Sequence, residues 1–158
     1  MNILIRGMIS GDVVAVSKVM RACNEFLAEQ EGYSSCQRER MIADRCSEEW
    51  VRQTTAQSET YVAESDGRIL GLIGLEGNEI AELWVDLGSH RRGIGTRLFS
   101  EAERILRSRG HAVLTVHTTG YAVPFYQAMG AHVVGSKPCD SGPLHGWMLT
   151  YLEKELKT

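Results

Sequence analysis

Val85-Asp86-Leu87-Gly88-Ser89-His90-Arg91-Arg92-Gly93-Ile94-Gly95-Thr96-Arg97-Leu98 joins a predicted strand ending at Val85 to a predicted helix opening at about Gly93. Two glycines stand one residue apart at the joint, with Arg91 and Arg92 just ahead of them. The first N–H groups of a helix have no intrahelical partner and point outward from the positive end of its dipole. Glycine at that place lets a ligand's phosphates approach the backbone without meeting a Cβ. The two guanidiniums add charge-assisted donors for the same oxygens. The spacing predicts a pyrophosphate cradle running from His90 through Arg91, Arg92, Gly93, Ile94 and Gly95 to Thr96. It is not the dinucleotide fingerprint, because Leu98 stands where a third glycine or alanine is required, and the Gly-Lys-Ser/Thr ending of a Walker loop is absent.

Downstream, Ile94, Leu98, Phe99, Ala102, Ile105 and Leu106 fall on one face of the helix, and Gly110 follows as its C-cap. His111 to His117 then reads as a strand, so strand, helix and strand imply a parallel crossover. Upstream, Thr60–Glu64, Arg68–Leu75 and Glu79–Val85 are strands separated by the tight turns Ser65-Asp66-Gly67 and Glu76-Gly77-Asn78, an antiparallel meander. A mixed sheet of this kind makes the class α+β. Near the start, Met1 to Arg6 reads as a first strand. Ser10-Gly11-Asp12 then opens a helix carrying Val16, Val19, Met20, Cys23, Phe26 and Leu27. Gln30 to Arg45 is polar and reads as a connecting loop with a short helical turn; Ser47 caps a second helix to about Gln57. Toward the end, Tyr121–Met129 is a helix with Pro124 near its start, and Ala131–Gly135 is a short strand. Ser136–Pro143 is a loop, and a last strand runs from His145 or Gly146 to Leu152.

A chain of 158 residues, 43% hydrophobic and 23% charged, fits one globular domain spanning residues 1–158. Acidic residues outnumber basic ones, 20 to 17, so no global positive field draws a nucleic acid. No apolar run approaches the roughly 20 residues that span a bilayer, and the first residues lack the pattern of a signal peptide. These features lead us to expect a cytoplasmic protein with neither a nucleic-acid nor a membrane partner. Cys23, Cys36, Cys46 and Cys139 form no Cys-x-x-Cys pair and have no histidine at finger spacing, so we expect no metal and four reduced thiols, with Cys36 and Cys46 in polar surroundings.

The stretch His90-Arg91-Arg92-Gly93-Ile94-Gly95 resembles the acetyl-CoA loop of the GNAT family of N-acetyltransferases, Gln/Arg-x-x-Gly-x-Gly/Ala after a strand ending in Val, with His90 in the place of the usual Gln or Arg. Ala122-Val123-Pro124-Phe125-Tyr126-Gln127-Ala128-Met129-Gly130 resembles the same family's Ala-x-x-Phe-Tyr-x-x-x-Gly helix, at the expected distance downstream. Thr119 takes the place of an asparagine, and Ala131 that of a phenylalanine. The element order β-α-α-β-β-β-α-β-α-β-β is also that of the GNAT fold. The resemblance implies acetyl-CoA as co-substrate, held by Val85, the residues from His90 to Thr96, and Tyr126. It also implies direct acetyl transfer in a ternary complex to a primary amine on a small molecule or peptide, and leaves room for a homodimer. A non-catalytic acyl-CoA sensor is the other reading.

Acetyl transfer asks for three groups. An amine must lose a proton before it attacks, since alkyl amines have a pKa of about 10.4. The carbonyl oxygen needs a fixed donor as charge develops on it, and the departing thiolate leaves more readily if it gains a proton. The resemblance assigns the acid to Tyr126 and the oxyanion donor to the backbone N–H of Val85, at a bulge in its strand. By strand alternation Glu79, Ala81, Leu83 and Val85 share one face, and Ile80, Glu82 and Trp84 the other. The resemblance turns the first set to the reacting centre, which makes Glu79 the candidate base and Glu82 a poorer one. His117 is the next candidate. His145, Trp147 and Tyr33 are candidates for the acceptor pocket, with Gln30–Arg45 and Ser136–His145 shaping it.

Overall fold

Among the described residues, seven strands make one sheet: β1 (Leu4–Gly7), β2 (Glu59–Ser65), β3 (Arg68–Glu76), β4 (Glu79–Val85), β5 (Val113–Thr118), β6 (His132–Pro138) and β7 (Met148–Glu155), in the spatial order β1-β2-β3-β4-β5-β7-β6. This arrangement is seen in a computed structural model that describes residues 2–157; Met1, read above as opening the first strand, and Thr158 lie outside them. All neighbouring strands are antiparallel except β4 and β5, which are parallel. The helix between those two, α4 (Ile94–Ser108), makes the crossover and covers one face of the sheet together with α5 (Val123–Ala128). The opposite face carries α1 (Val13–Glu31), α2 (Ser35–Arg45) and α3 (Glu48–Gln57).

The apolar stripe of α4 does what its spacing predicts. Ile94, Leu98, Phe99, Ala102, Ile105 and Leu106 are all buried against Ile73, Ile80, Leu114 and Leu152 of the sheet. Each fully buried Leu, Ile or Phe side chain contributes about 1.5–3 kcal/mol. A second core on the other face joins Val16, Met20 and Cys23 of α1 and Val51 of α3 to Val62 and Leu72.

The segment read as a loop from Gln30 to Arg45 is mostly the eleven-residue helix α2. Its cap was in the sequence: Ser34 Oγ accepts from Gln37 N–H at 3.1 Å, and Gln37 Oε1 accepts from Ser34 N–H at 2.8 Å. That reciprocal Ser-x-x-Gln box starts a helix whose outer residues are almost all polar, so apolar periodicity is nearly silent there. Met41 is its one buried residue. The strand predicted to end at Gly135 runs on to Pro138, and the last strand starts at Met148 and continues to Glu155.

Two irregularities position the site. Along β3 and β4, Leu75 pairs with Ile80 and Gly74 pairs with Glu82, leaving Ala81 as an extra residue in β4. Such a bulge breaks the two-residue period. Ile80, Leu83 and Val85 therefore pack on the α4 side, whereas Trp84 packs on the α1 side. Glu79 and Glu82 both fall on that second face. The alternation expected from the sequence, with Glu79 on the face of Val85, is corrected accordingly. The second irregularity is that β4 and β5 pair only at Glu79–Thr115 and Ile80–Val116. Asn78 fastens this closed end, donating from Nδ2 to Val113 O at 2.9 Å while its carbonyl accepts from Thr115 N–H at 3.0 Å. From Ala81 onward the two strands part.

Candidate active site

The parting of β4 and β5 opens a cleft of about 480 Å³. One wall comes from α1 through Cys23, Phe26 and Leu27; the other comes from the start of α4 and from Phe125 and Tyr126 of α5. Val85, His90, Arg91, Gly93, Ile94, Gly95 and Thr96 all line it, and Arg92 stands exposed at the loop beside them.

The loop is shaped for the backbone to lead. Gly93 has φ +76° and Arg91 has φ +64°. A non-glycine residue in the left-handed region costs on the order of 1 kcal/mol and is found where the surroundings enforce it, often at functional sites. No side chain caps α4, so its leading N–H groups are left to a ligand or water. The two glycines serve different ends. Gly93 supplies the positive φ, while a Cβ at Gly95 would meet Phe125 at 3.3 Å and Val85 at 3.6 Å. The second glycine is therefore fixed by close packing of α4 on α5, and the approach of a phosphate is not needed to explain it.

Asp86 N–H donates to Leu70 O at 2.8 Å, which turns Asp86 toward β3. Alternation along an antiparallel strand then turns the N–H and C=O of Val85 toward the gap left by β5. The Val85 carbonyl accepts from Cys23 Sγ at 3.1 Å and from His90 Nε2 at 3.0 Å. His90 thus ties the loop to the end of β4. The bulge sits at Ala81, four residues before Val85, so the strand departs from its neighbour earlier than expected.

Tyr126 is buried and packs against Phe99 and Phe125. Burial, and secondarily the charge of Glu82, raise its phenol above the ordinary value of 10, so it stays protonated well past neutral pH. Glu82 lines the same cleft. Removal from water pushes its carboxyl up from 4.5 to about 7, against the opposing effects of the Trp84 Nε1–H donor and the Arg45 charge. Glu82 is the group that the sequence reading set aside, because an unbroken alternation had turned it away from Glu79.

Glu79 lies beside the cleft, outside its lining residues, with Oε1 3.3 Å from His117 Nδ1. His117 itself lines the cleft. Tyr33 and Trp147 meet edge to face at 4.9 Å, and they and His145 stand outside the cleft wall. All four cysteines are free; Cys46 is buried, and loss of water pushes its thiol up to about 12, unlike a reactive thiolate.

A mixed sheet that opens at its one parallel strand pair, with an uncapped helix at its mouth and a phenol and carboxyl inside, defines an acyl-CoA N-acyltransferase fold. The chain belongs to the GNAT family: the family profile "Acetyltransferase (GNAT) domain" matches residues 27–151. A curated relative, the peptidyl-lysine N-acetyltransferase YiaC of Escherichia coli K12, is 32% identical over 98 residues, 61% of this chain and 65% of that protein. The match thus spans a little under two thirds of that relative's length. Among solved structures, a GCN5-related N-acetyltransferase from Rhodopseudomonas palustris superposes with a TM-score of 0.89 at 23% identity, covering 99% of this chain and 97% of that one. The PaiA N-acetyltransferase of Thermoplasma acidophilum, crystallised with coenzyme A, gives 0.75 at 20% identity, covering 98% and 99%. No helix among the described residues is long and apolar enough to cross a membrane.

Proposed function

We propose that this protein transfers the acetyl group of acetyl-CoA to a primary amine, with a lysine side chain as the acceptor to test first. The observation that carries the reading is the cleft itself, where the uncapped start of α4 and an enclosed phenol and carboxyl line one opening in the sheet. The peptidyl-lysine activity of the YiaC relative favours lysine over other amines.

In this reading Arg91, Arg92 and the N–H groups from Gly93 to Thr96 hold the pyrophosphate, and acetyl-CoA supplies an activated acyl group whose C–S bond breaks as the new C–N bond forms. The Val85 N–H, facing the gap, donates to the carbonyl oxygen as charge grows there. Glu82 removes the first proton from the ammonium nitrogen; a carboxyl near 7 is matched to that task at neutral pH. Tyr126 gives its phenolic proton to the departing sulfur and regains one from the acylated nitrogen. The third proton stays in the amide. One proton is released per turnover. This places the base at Glu82, and Glu79, the sequence candidate, in a supporting position.

Release of coenzyme A thiol from acetyl-CoA, followed with Nα-blocked lysine peptides, polyamines and aminoglycosides, tests the reading. Acetyl-CoA binding without thiol release on any amine would replace it with the sensor reading.

A further inference from the structure

Glu82 is withdrawn from water and bonded to Trp84 Nε1–H, yet it must shed a proton in each cycle, and the acetyl-transfer reading leaves open how that proton reaches water. The bulge at Ala81 brings three titratable groups onto one face of adjacent strands: Glu82 and Glu79 from β4 and, by alternation, His117 from β5. His117 both lines the cleft and is exposed over 43% of its side chain, so it bridges the interior and solvent. Its ring is held on two sides. Glu79 Oε1 lies 3.3 Å from Nδ1. Tyr151, its register partner on β7, lies 5.3 Å away between ring centroids, tilted by 31°.

We infer that His117 is the proton exit of the cleft and that Glu79 is the positioning residue that sets its tautomer. A carboxylate beside Nδ1 keeps a proton on that nitrogen and leaves Nε2 with a lone pair. Nε2 takes the proton from Glu82, directly or through water, and hands it to solvent, so the Glu82 carboxylate and the neutral imidazole are both restored for the next cycle. The other charged groups near this path are Arg45, which acts on Glu82 from α2; Lys137, which lies 4.7 Å from the Tyr151 ring centroid; and Glu153, on the Tyr151 face of β7. His90, the other histidine in the cleft, is bonded to Val85 O at the phosphate end and cannot serve Glu82 in the same way.

The inference rests on the acetyl-transfer reading, and its test separates the two. Wild type, His117→Ala and Glu79→Gln are compared for thiol release from acetyl-CoA with an Nα-blocked lysine peptide, with and without added imidazole. His117→Ala should lower kcat about 10²-fold with acetyl-CoA binding unchanged. Imidazole should restore much of that loss, a response that a merely structural histidine would not give. Glu79→Gln should lower kcat less, with KM for the peptide unchanged, because the imidazole stays but its tautomer is no longer held. Wild-type turnover matched by His117→Ala, or a loss that imidazole does not relieve, overturns the exit alone. Absence of turnover in wild type on any amine overturns the acetyl-transfer reading and the exit with it.

Discussion

Replacing Glu82 by glutamine should make the protein both more stable and less active, with the two effects sharing one pH range. The carboxyl titrates near 4.5 when exposed and at about 7 in the fold. Between those values the folded state binds more protons than the unfolded one, so stability falls as pH rises through the window. At about 1.36 kcal/mol per pH unit, the full deficit above pH 7 is about 3 kcal/mol. Below about pH 4 both states are protonated and the deficit vanishes. Glutamine keeps an oxygen for the Trp84 Nε1–H donor and removes the titration. Urea unfolding should therefore show Glu82→Gln about 3 kcal/mol more stable than wild type at about pH 8, and level with it at about pH 4. In a domain of this size that corresponds to a melting temperature roughly 10 °C higher at the alkaline pH. The rate should move the other way. Without its acceptor the enzyme should lose about 10²-fold in kcat at pH 7 and recover as pH climbs toward the amine's own pKa of about 10.4. A stability difference that does not change between the two pH values would refute the enclosed carboxyl. An unchanged pH–rate profile would refute its role as base, even if the stability result held.

Tyr126→Phe should reduce kcat by about 10²–10⁴-fold with acetyl-CoA affinity nearly unchanged, since only the hydroxyl is lost; rapid-quench kinetics on the chemical step would expose a tyrosine that merely packs. Arg92→Ala should weaken acetyl-CoA binding, and calorimetry at rising salt should show the variant less salt-dependent than wild type, because one cation fewer faces the phosphates. Gly71→Ala should destabilise the fold by about 1–3 kcal/mol, because its Cβ would lie 2.8 Å from the Trp84 backbone oxygen and 3.1 Å from Leu98. Thermal unfolding of that variant at wild-type temperature would mean that β3 and β4 slide apart more easily than their packing implies.

What the sequence disclosed followed from period and punctuation. The α4 stripe, the Asp66-Gly67 turn with both residues at positive φ, and the glycines opening and following α4 are local choices that the fold carries out unchanged. The Ala122–Gly130 motif likewise delivered Tyr126 to the cleft, because its helix can bury only the face that holds Phe125 and Tyr126 against Phe99. Helix α2 was missed for want of an apolar stripe, although its Ser34–Gln37 box was there to be read. Glu82 was ranked below Glu79 for a different reason. An extra residue in a strand has no composition of its own; Ala81 looks like any small strand residue, and only the pairing of its neighbours with Leu75 and Gly74 reveals that it has no partner.

That single unpaired residue accounts for more of the site than any motif does. An unbroken β4 would put Glu79 with Val85 and turn Glu82 away from both, so a lone carboxylate would face the α4 side without a histidine beside it. With the bulge, the apolar side keeps Ile80, Leu83 and Val85 for the core, and the other side gathers Glu79, Glu82 and His117. The bulge also falls just where the β4–β5 pairing ends at Ile80–Val116, so the residues after it have no partner strand on the β5 side. The Val85 carbonyl is satisfied there by Cys23 and His90, while the N–H beside it is left facing the gap. Deleting Ala81 tests this dependence directly. With Ala81 gone, Ile80 and Glu82 become neighbours opposite Leu75 and Gly74, and plain alternation keeps Glu79 and Glu82 on one face with Leu83 and Val85 on the other. The deletion variant, if folded by circular dichroism, should therefore bind acetyl-CoA through an intact loop and keep the wild-type pH–rate profile. A folded deletion variant with an altered pH–rate profile would show that these three groups need the bulge itself and not only the parity it sets.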